Sequence, residues 1–333
     1  AEGDIRVLRW WAEPKLLLVG CADEKVIAFD EAGQKKWEFT SVMDKAVYEA
    51  GKQYWFKSAY PGIYGLYSGA FDGGKSRAFV GSACTLEILD EQGQLVKRTP
   101  VFWGPGRQFL LADAADGTKD LLIGRWHNDG VAFARVNSAK MADVGHGYDG
   151  VPAGHTYVGG WDCMNRYDNF LTDLNGDGKR EVVSAINGTW NRVTIYTEDG
   201  KPLHNAQFGP GLPEARANLR MMDVGDLNGD GKQEIIIALA GGLLDVLDAQ
   251  CQKVWAKQMP SPPAVVRMLK AAAGNWLCVG CEDGTVLAVD ARGQVTKTAK
   301  VAGRPQDLRV LQTPQGETAV VTTDKGEVSA FRP

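Results

Sequence analysis

The chain has 333 residues, 44% apolar and 23% charged, with a formal charge of −4, so it is of ordinary globular composition and carries no basic surplus for a phosphate backbone. A nucleic-acid partner is therefore not expected, and the absence of any apolar run of about 18 residues excludes a transmembrane helix. Ala1 opens the chain without a charged segment followed by an apolar one, so no signal peptide is expected; a mature secreted or periplasmic protein starts this way, as does a cytosolic one.

Internal repetition decides the fold class. At the start of the chain Asp4-Ile-Arg-Val-Leu-Arg is followed by Lys15-Leu-Leu-Leu-Val-Gly-Cys and Lys25-Val-Ile-Ala-Phe-Asp30. The C-terminus reads Asp307-Leu-Arg-Val-Leu-Gln, then Thr318-Ala-Val-Val-Thr-Thr and Glu327-Val-Ser-Ala-Phe-Arg332, in the same spacing. A turn marker follows the third run of most units. It appears as Asp30-Glu-Ala-Gly33-Gln, Asp90-Glu-Gln-Gly93-Gln, Thr197-Glu-Asp-Gly200-Lys, Asp248-Ala-Gln-Cys251-Gln and Asp290-Ala-Arg-Gly293-Gln, with Val136-Asn-Ser-Ala as a degenerate copy. Glycine supplies the positive φ such a hairpin needs.

Each unit holds short runs of Val, Ile, Leu and Phe between turns, the pattern of a four-stranded antiparallel blade. The units fall near 4–42, 43–104, 105–160, 161–211, 212–260, 261–303 and 304–333. The expected architecture is all-β, a single seven-bladed β-propeller domain over residues 1–333 built of four-stranded antiparallel blades. Helical periodicity is confined to a short turn between Leu212 and Arg220. The last unit shows three runs, and residues 1–3 are too few to add a fourth, so either the ring closes without a full clasp or more chain lies upstream. Of six cysteines, Cys278 and Cys281 form the closest pair, on a strand where i and i+3 face opposite ways, so buried small hydrophobes are expected and not a zinc site.

Two loops repeat an acidic pattern. Asp173-Leu-Asn175-Gly-Asp177-Gly-Lys-Arg-Glu181 leads into Val182, and Asp226-Leu-Asn228-Gly-Asp230-Gly-Lys-Gln-Glu234 leads into Ile235. Side-chain oxygens at alternate positions, a glycine bend and a later glutamate suit a hard cation. The loops resemble the calcium loops of FG-GAP repeats, which implies a structural Ca2+ held by Asp173, Asn175, Asp177 and Glu181 and by Asp226, Asn228, Asp230 and Glu234. A weaker copy runs from Asp113 to Asp120, and Asp72 begins a relic. The alternative is a polar hairpin with no ion.

The loops expected on the opposite face are elaborate on one side only. They carry Trp103 and Arg107, then Trp126 and His127, then His146, Tyr148, His155 and Tyr157 in the longest connection. Next come Trp161, Arg166, Tyr167 and Asp168, then Trp190 and Arg192, and finally Arg216 and Arg220. Three of the four histidines fall in this set. Trp and Tyr faces suit sugar rings, arginine suits a carboxylate, and histidine near neutral pH suits proton transfer. His127, His146, His155, Tyr167 and Arg166 are the candidate catalytic residues. Trp103, Arg107, Trp126, Tyr157, Trp161, Trp190, Arg192 and Arg220 are the candidate substrate contacts.

This equipment matches β-elimination beside a uronic acid. Arginine neutralises the carboxylate, a histidine or tyrosine removes the C5 proton, and a second group protonates the leaving oxygen. The segment Trp161-Asp-Cys-Met-Asn165-Arg166-Tyr-Asp168-Asn-Phe-Leu and the loop Asn187-Gly-Thr-Trp-Asn-Arg192-Val-Thr are similar to segments of propeller-type rhamnogalacturonan lyases. Seven-bladed lyases on ulvan or on rhamnose–glucuronate linkages share the architecture, and the remaining units look like quinoprotein-type repeats. The resemblance implies a polysaccharide or oligosaccharide lyase on acidic glycans, secreted or periplasmic. A glycoside hydrolase, which would need two flanking carboxylates, and a non-catalytic FG-GAP-type module binding glycan or protein are the alternatives.

Overall fold

Runs of β-branched and aromatic residues separated by Asp–Gly turns fold as strands, each turn reversing the chain onto its neighbour. The computed structural model describes residues 4–46, 49, 62–100, 108–124, 126–127, 131–149, 163–164, 169–186, 191–208, 214–272 and 274–332. Among them lie six four-stranded sheets and one three-stranded sheet, all antiparallel. The first sheet is β1 (Ile5–Trp11), β2 (Leu16–Cys21), β3 (Lys25–Phe29) and β4 (Lys35–Thr40). The second is β5 (Ile63–Ala70), β6 (Ser76–Ser82), β7 (Thr85–Leu89) and β8 (Leu95–Pro100). The third is β9 (Gln108–Asp113), β10 (Lys119–Gly124), β12 (Val131–Asn137) and β13 (Ala142–Asp149), with β11 (Trp126–His127) set aside to pair with β14 (Cys163–Met164).

The fourth sheet is β15 (Asn169–Thr172), β16 (Glu181–Ile186), β17 (Arg192–Thr197) and β18 (Pro202–Gln207). The fifth follows a short helix α1 (Glu214–Ala217) and comprises β19 (Leu219–Gly225), β20 (Glu234–Leu239), β21 (Leu243–Leu247) and β22 (Lys253–Gln258). The sixth is β23 (Pro263–Leu269), β24 (Trp276–Cys281), β25 (Thr285–Asp290) and β26 (Val295–Lys300). The last is β27 (Pro305–Thr313), β28 (Gly316–Thr323) and β29 (Val328–Phe331). This is the β-propeller class, in which each sequence unit is one sheet. A 3-10 turn lies at Asp72–Gly74.

The chain divides into two compact units. One holds the described residues of 4–149, together with 163–164, 169–171 and 198–201; the other holds those of 172–197 and 202–332. Within each unit, neighbouring sheets pack face to face through side chains of their inner strands. Sheets one and two share Trp11, Leu18, Val26, Ile63, Ala78 and Val80, and sheets five and six share Ile236, Val246, Val266, Leu277 and Val279. β20 and β24 are buried along their whole length, because a middle strand has a sheet on either face, which is why they read as continuous apolar runs. Outer strands β4 and β22 alternate between exposed and half-buried residues, so their sequences are polar.

The first strands of sheets one, two, five, six and seven carry a bulge near their start, at Ile5/Val7, Ile63/Gly65, Leu219/Met221, Pro263/Val265 and Pro305/Asp307. The bulged residue leaves the alternation and is re-aimed. In the first two sheets this sets Arg6 over the Tyr64 ring at 4.8 Å, and one turn of the pleat further on Arg9 lies over Tyr67 at 4.3 Å.

The Asp turns explain the join between third and fourth strands. The Asp30 carboxylate accepts from the amides of Ala32 (3.0 Å) and Gln34 (2.9 Å), and Asp90, Asp248 and Asp290 do the same in their sheets. Two of these turns, those of Asp90 and Asp290, also receive a tryptophan from the preceding sheet. Trp37 donates its indole N–H to the Glu91 carbonyl (3.0 Å), and Trp255 donates to that of Ala291 (2.9 Å).

All five cysteines whose side chains are described are buried and outside any disulfide. Burial pushes Cys251 and Cys278 up to about 12 and Cys281 up to about 11. Thiolate is the reactive form, so these groups should be inert in the folded protein. A disulfide reagent at neutral pH is expected to label no more than one thiol, Cys163, before denaturant is added and six afterwards. Labelling of two or more in native buffer would contradict the burial.

Candidate functional site

The two acidic loops are built alike. In the first, Asp173 accepts from the amides of Gly176 (2.8 Å), Asp177 (3.2 Å) and Gly178 (2.8 Å). Asn175 Oδ1 accepts from the Asp177 amide (2.9 Å), Asp177 from Lys179 N (2.8 Å), and Glu181 from Leu174 N (3.0 Å). The second loop repeats this with Asp226 on Gly229, Asp230 and Gly231, Asn228 on Asp230, Asp230 on Lys232, and Glu234 on Leu227 (2.8 Å). The oxygens a hard cation would use are thus turned onto their own loop. Among the described residues no group of three Asp, Glu, His or Cys side chains is gathered; a Ca2+ ion in either loop would draw as well on Asn175 or Asn228 and on loop carbonyls, through lone pairs that the amide bonds leave open.

In the weaker copies protein cations take up the charge. Asp72 holds Arg77 through both oxygens (2.6 and 2.7 Å), Asp113 pairs with Lys119, and buried Asp120 holds Arg135 at 2.5 Å. The loops also tie neighbouring sheets together. Gln233 Nε2 donates to Thr172 Oγ1 (2.7 Å) and to the Asp173 carbonyl (2.9 Å), and Asn275 donates to the Asp226 carbonyl (2.5 Å). Nothing in the local sequence marks Gln233 or Asn275, because their partners lie a whole sheet away.

Glu181 and Glu234 are buried, and burial raises both above the ordinary carboxylate range although amides from their loops oppose it. The folded chain then keeps the Glu234 proton to higher pH than the unfolded chain does. That term favours folding below the unfolded pKa and is lost as pH rises through the window up to the raised folded value. In Glu234→Gln the amide oxygen still accepts from Leu227, so the variant should lose this slope and gain stability relative to the parent towards neutral pH. Urea denaturation across that window measures it; parallel curves for parent and variant would remove Glu234 as the source.

The candidate residues on the other face fall into three groups. Trp103, Arg107, His155, Tyr157, Trp161, Arg166, Tyr167 and Trp190 lie outside the described residues. Trp126, His127 and His146 are described by their backbone. β11 pairs with β14, so Trp126 stands opposite Met164 and His127 opposite Cys163, which joins the His127 backbone to the middle of the 161–168 segment. His146 is not in a connection, as its sequence context suggests, but in the outer strand β13, opposite Ala134. Outer strands are polar in this fold, so the sequence reads there as loop.

The third group is described in full. Arg192 opens β17 and is completely buried. Tyr148 is buried too, edge-on to Phe133, with its hydroxyl donating to the Glu198 carbonyl. Arg220 is the bulged residue of β19, 3.7 Å from Glu282, and Arg304 reaches the same carboxylate oxygen at 2.9 Å. Two half-exposed guanidinium groups therefore converge on one carboxylate, and Asp324 lies beside them, its Oδ1 accepting from the Arg304 amide at 2.8 Å. Sequence alone does not join Arg220 to Arg304, which sits just before β27.

Residues 173–237 match the model of the FG-GAP-like repeat, and residues 219–309 match that of the lambda-carrageenase beta-propeller domain. No curated protein matches the chain. Among solved structures the chain is similar to BamB from Moraxella catarrhalis, at 16% identity and a TM-score of 0.62, covering 100% of this chain and 84% of that one. It is also similar to Saccharomyces cerevisiae Sqt1, at 13% identity and a TM-score of 0.67, covering 98% of this chain and 83% of that one. The Neurospora crassa Pan2 WD40 domain gives 13% and 0.58, with 98% and 88% covered. These likenesses define the fold class, a β-propeller, in which residues 173–237 resemble an FG-GAP-like repeat.

Proposed function

We propose that this propeller acts on an acidic polysaccharide or oligosaccharide and cleaves it beside a uronic acid by β-elimination, in a secreted or periplasmic setting. The observation that supports a carbohydrate-directed enzyme is the match of residues 219–309 to the lambda-carrageenase beta-propeller domain, while β-elimination rests on the His, Tyr and Arg of the loops and on the likeness of 161–171 and 187–194 to propeller-type lyases. Residues 219–309 contain Arg220, Glu282 and Arg304, a guanidinium pair of the kind that takes a carboxylate. In this mechanism arginine, with Arg166 as the first candidate, neutralises the uronate carboxylate and lowers the C5–H pKa. One of His127, His146, His155 and Tyr167 removes the proton, and another protonates the departing glycosidic oxygen.

Incubation with a panel of uronic-acid polysaccharides, followed in the short-wavelength ultraviolet absorbance band of the conjugated unsaturated uronate, tests the class. A rise is expected. New reducing ends without that band would mean hydrolysis, and neither signal would refute catalysis. His127→Ala should lower turnover by about 10²–10⁴-fold with unchanged circular dichroism, the range for loss of a general acid or base. Unchanged turnover would take His127 out of the reaction. A second reading, a propeller that binds without catalysis, is favoured by likeness to a WD40 domain such as that of Pan2.

A further inference from the structure

The entry to the first strand and the turn between the second and third meet at one end of a sheet. The Ala22 amide donates to the Asp4 carbonyl (2.8 Å), Ala240 to Asn218 (2.8 Å), Glu282 to Pro262 (2.8 Å) and Asp324 to Arg304 (3.0 Å). Sheets five, six and seven pack in that order, so these ends stand side by side. They carry Arg220 from sheet five, Glu282 from sheet six, and Arg304 and Asp324 from sheet seven.

The charges there are used unevenly. The Arg220 guanidinium makes no hydrogen bond among the described residues, and its one ion-pair contact, to Glu282 Oε1, is 3.7 Å long. Arg304 holds the same oxygen at 2.9 Å, which leaves Glu282 Oε2 without a partner among the described residues. Asp324 commits Oδ1 to the Arg304 amide at 2.8 Å and keeps Oδ2. One guanidinium and two carboxylate oxygens are thus unused in a small space.

These groups are also held in place. The Nε–H of each arginine is enclosed although the two side chains are 37% and 40% exposed, so each stem is fixed and the terminal nitrogens face solvent. Gly303 sets the far side. Its φ is +89°, and a Cβ there would lie 2.3 Å from Asp324 Oδ1, so only glycine lets that carboxylate reach the Arg304 amide. Groups fixed beforehand lose little freedom when a ligand arrives.

We propose that Arg220, Arg304, Glu282 and Asp324 form a subsite for one sugar unit that carries a single anionic group beside free hydroxyls. The inference rests on the acidic-glycan reading above and adds to it a unit that is bound, not the one whose carboxylate Arg166 neutralises. The anionic group takes Arg220, and ring hydroxyls donate to Glu282 Oε2 and Asp324 Oδ2. Two cations and two carboxylates make the site neutral, so a bare anion gains little from it, while a hydroxylated ring with one charge meets both kinds of partner. A uronate and a sugar sulfate ester share this chemistry.

Methyl galacturonoside and methyl galactoside 6-sulfate are the probes, each with its anionic group at C6 and neither with a sugar to lose from C4. The Nε–H resonances of Arg220 and Arg304 are followed by NMR as each probe is titrated into the intact protein. Saturable shifts are expected, and the tighter probe identifies the source as carboxylate or sulfate ester. Binding should weaken by about tenfold or more in Arg220→Gln and in Arg304→Gln, read at the arginine that remains, and with acetate or neutral methyl galactoside as the probe. Both side chains are half exposed, so the variants keep the fold, which circular dichroism checks. No saturable shift with either acidic probe, equal binding of acetate or of the neutral glycoside, or undiminished binding in both variants would overturn the proposal. The probes report no turnover, so the two readings fail separately. Unsaturated product without probe binding overturns the subsite alone, and probe binding without product overturns cleavage alone.

Discussion

Replacing Phe79 with alanine is expected to destabilise the protein by about 3–5 kcal/mol, the range for removing a large aromatic from a packed core. Phe79 lies in the middle strand β6, fully buried. Its ring meets Phe71 edge-on at 5.1 Å and Tyr67 at 6.4 Å, and it belongs with Leu86, Ile88, Phe109 and Leu121 to the cluster joining the second and third sheets. β-sheets on both sides hold the backbone, so the space cannot close. Urea denaturation read by circular dichroism measures the loss. A cost below about 1 kcal/mol would mean that the two sheets re-pack over the gap, contrary to the rigid face-to-face packing described above.

The second large effect is expected at a turn glycine. Gly33, Gly93 and Gly293 occupy the same turn position with nearly the same φ of 75° to 76°, so alanine costs each about 1–2 kcal/mol of backbone strain. Their surroundings differ. A Cβ on Gly33 meets nothing within 4 Å, on Gly293 it comes to 3.2 Å of the Trp255 ring, and on Gly93 to 2.6 Å of the Trp37 ring. Gly93→Ala must therefore displace Trp37 and its bond to Glu91, adding about 1–3 kcal/mol of overpacking. The ranking Gly93 > Gly293 > Gly33 in loss of stability is the expected result. Equal losses would show that the turn alone matters and that the tryptophan lid contributes nothing to specificity of packing.

Local sequence made the sheets legible for a physical reason. Middle strands such as Ile235-Ile-Ile and Leu277-Cys-Val-Gly are enclosed on both faces, so burial writes a continuous apolar run that recurs with the repeat. The Asp-x-x-Gly turns are equally local, since the carboxylate and the amides it accepts from are two and four residues apart. The acidic loops were readable as a pattern for the same reason. What the pattern left open was how its oxygens are used, and in the fold they cap their own amides at Gly176, Asp177 and Gly178.

Chemistry on the elaborated face was less legible, because residue type at a loop does not say where the side chain ends. Arg192 and Tyr148 read as surface groups and lie buried, while His146 read as connection and lies in an outer strand whose polarity disguises it. By itself the sequence determined the repeat, the strand and turn identities and the all-β class, each an interaction within a few residues. Only the tertiary structure decided that Arg220 and Arg304 share Glu282 and that Gln233 and Asn275 lock neighbouring loops. Those contacts join residues a sheet or more apart, and their partners are chosen by the packing of sheet on sheet, which no local pattern encodes.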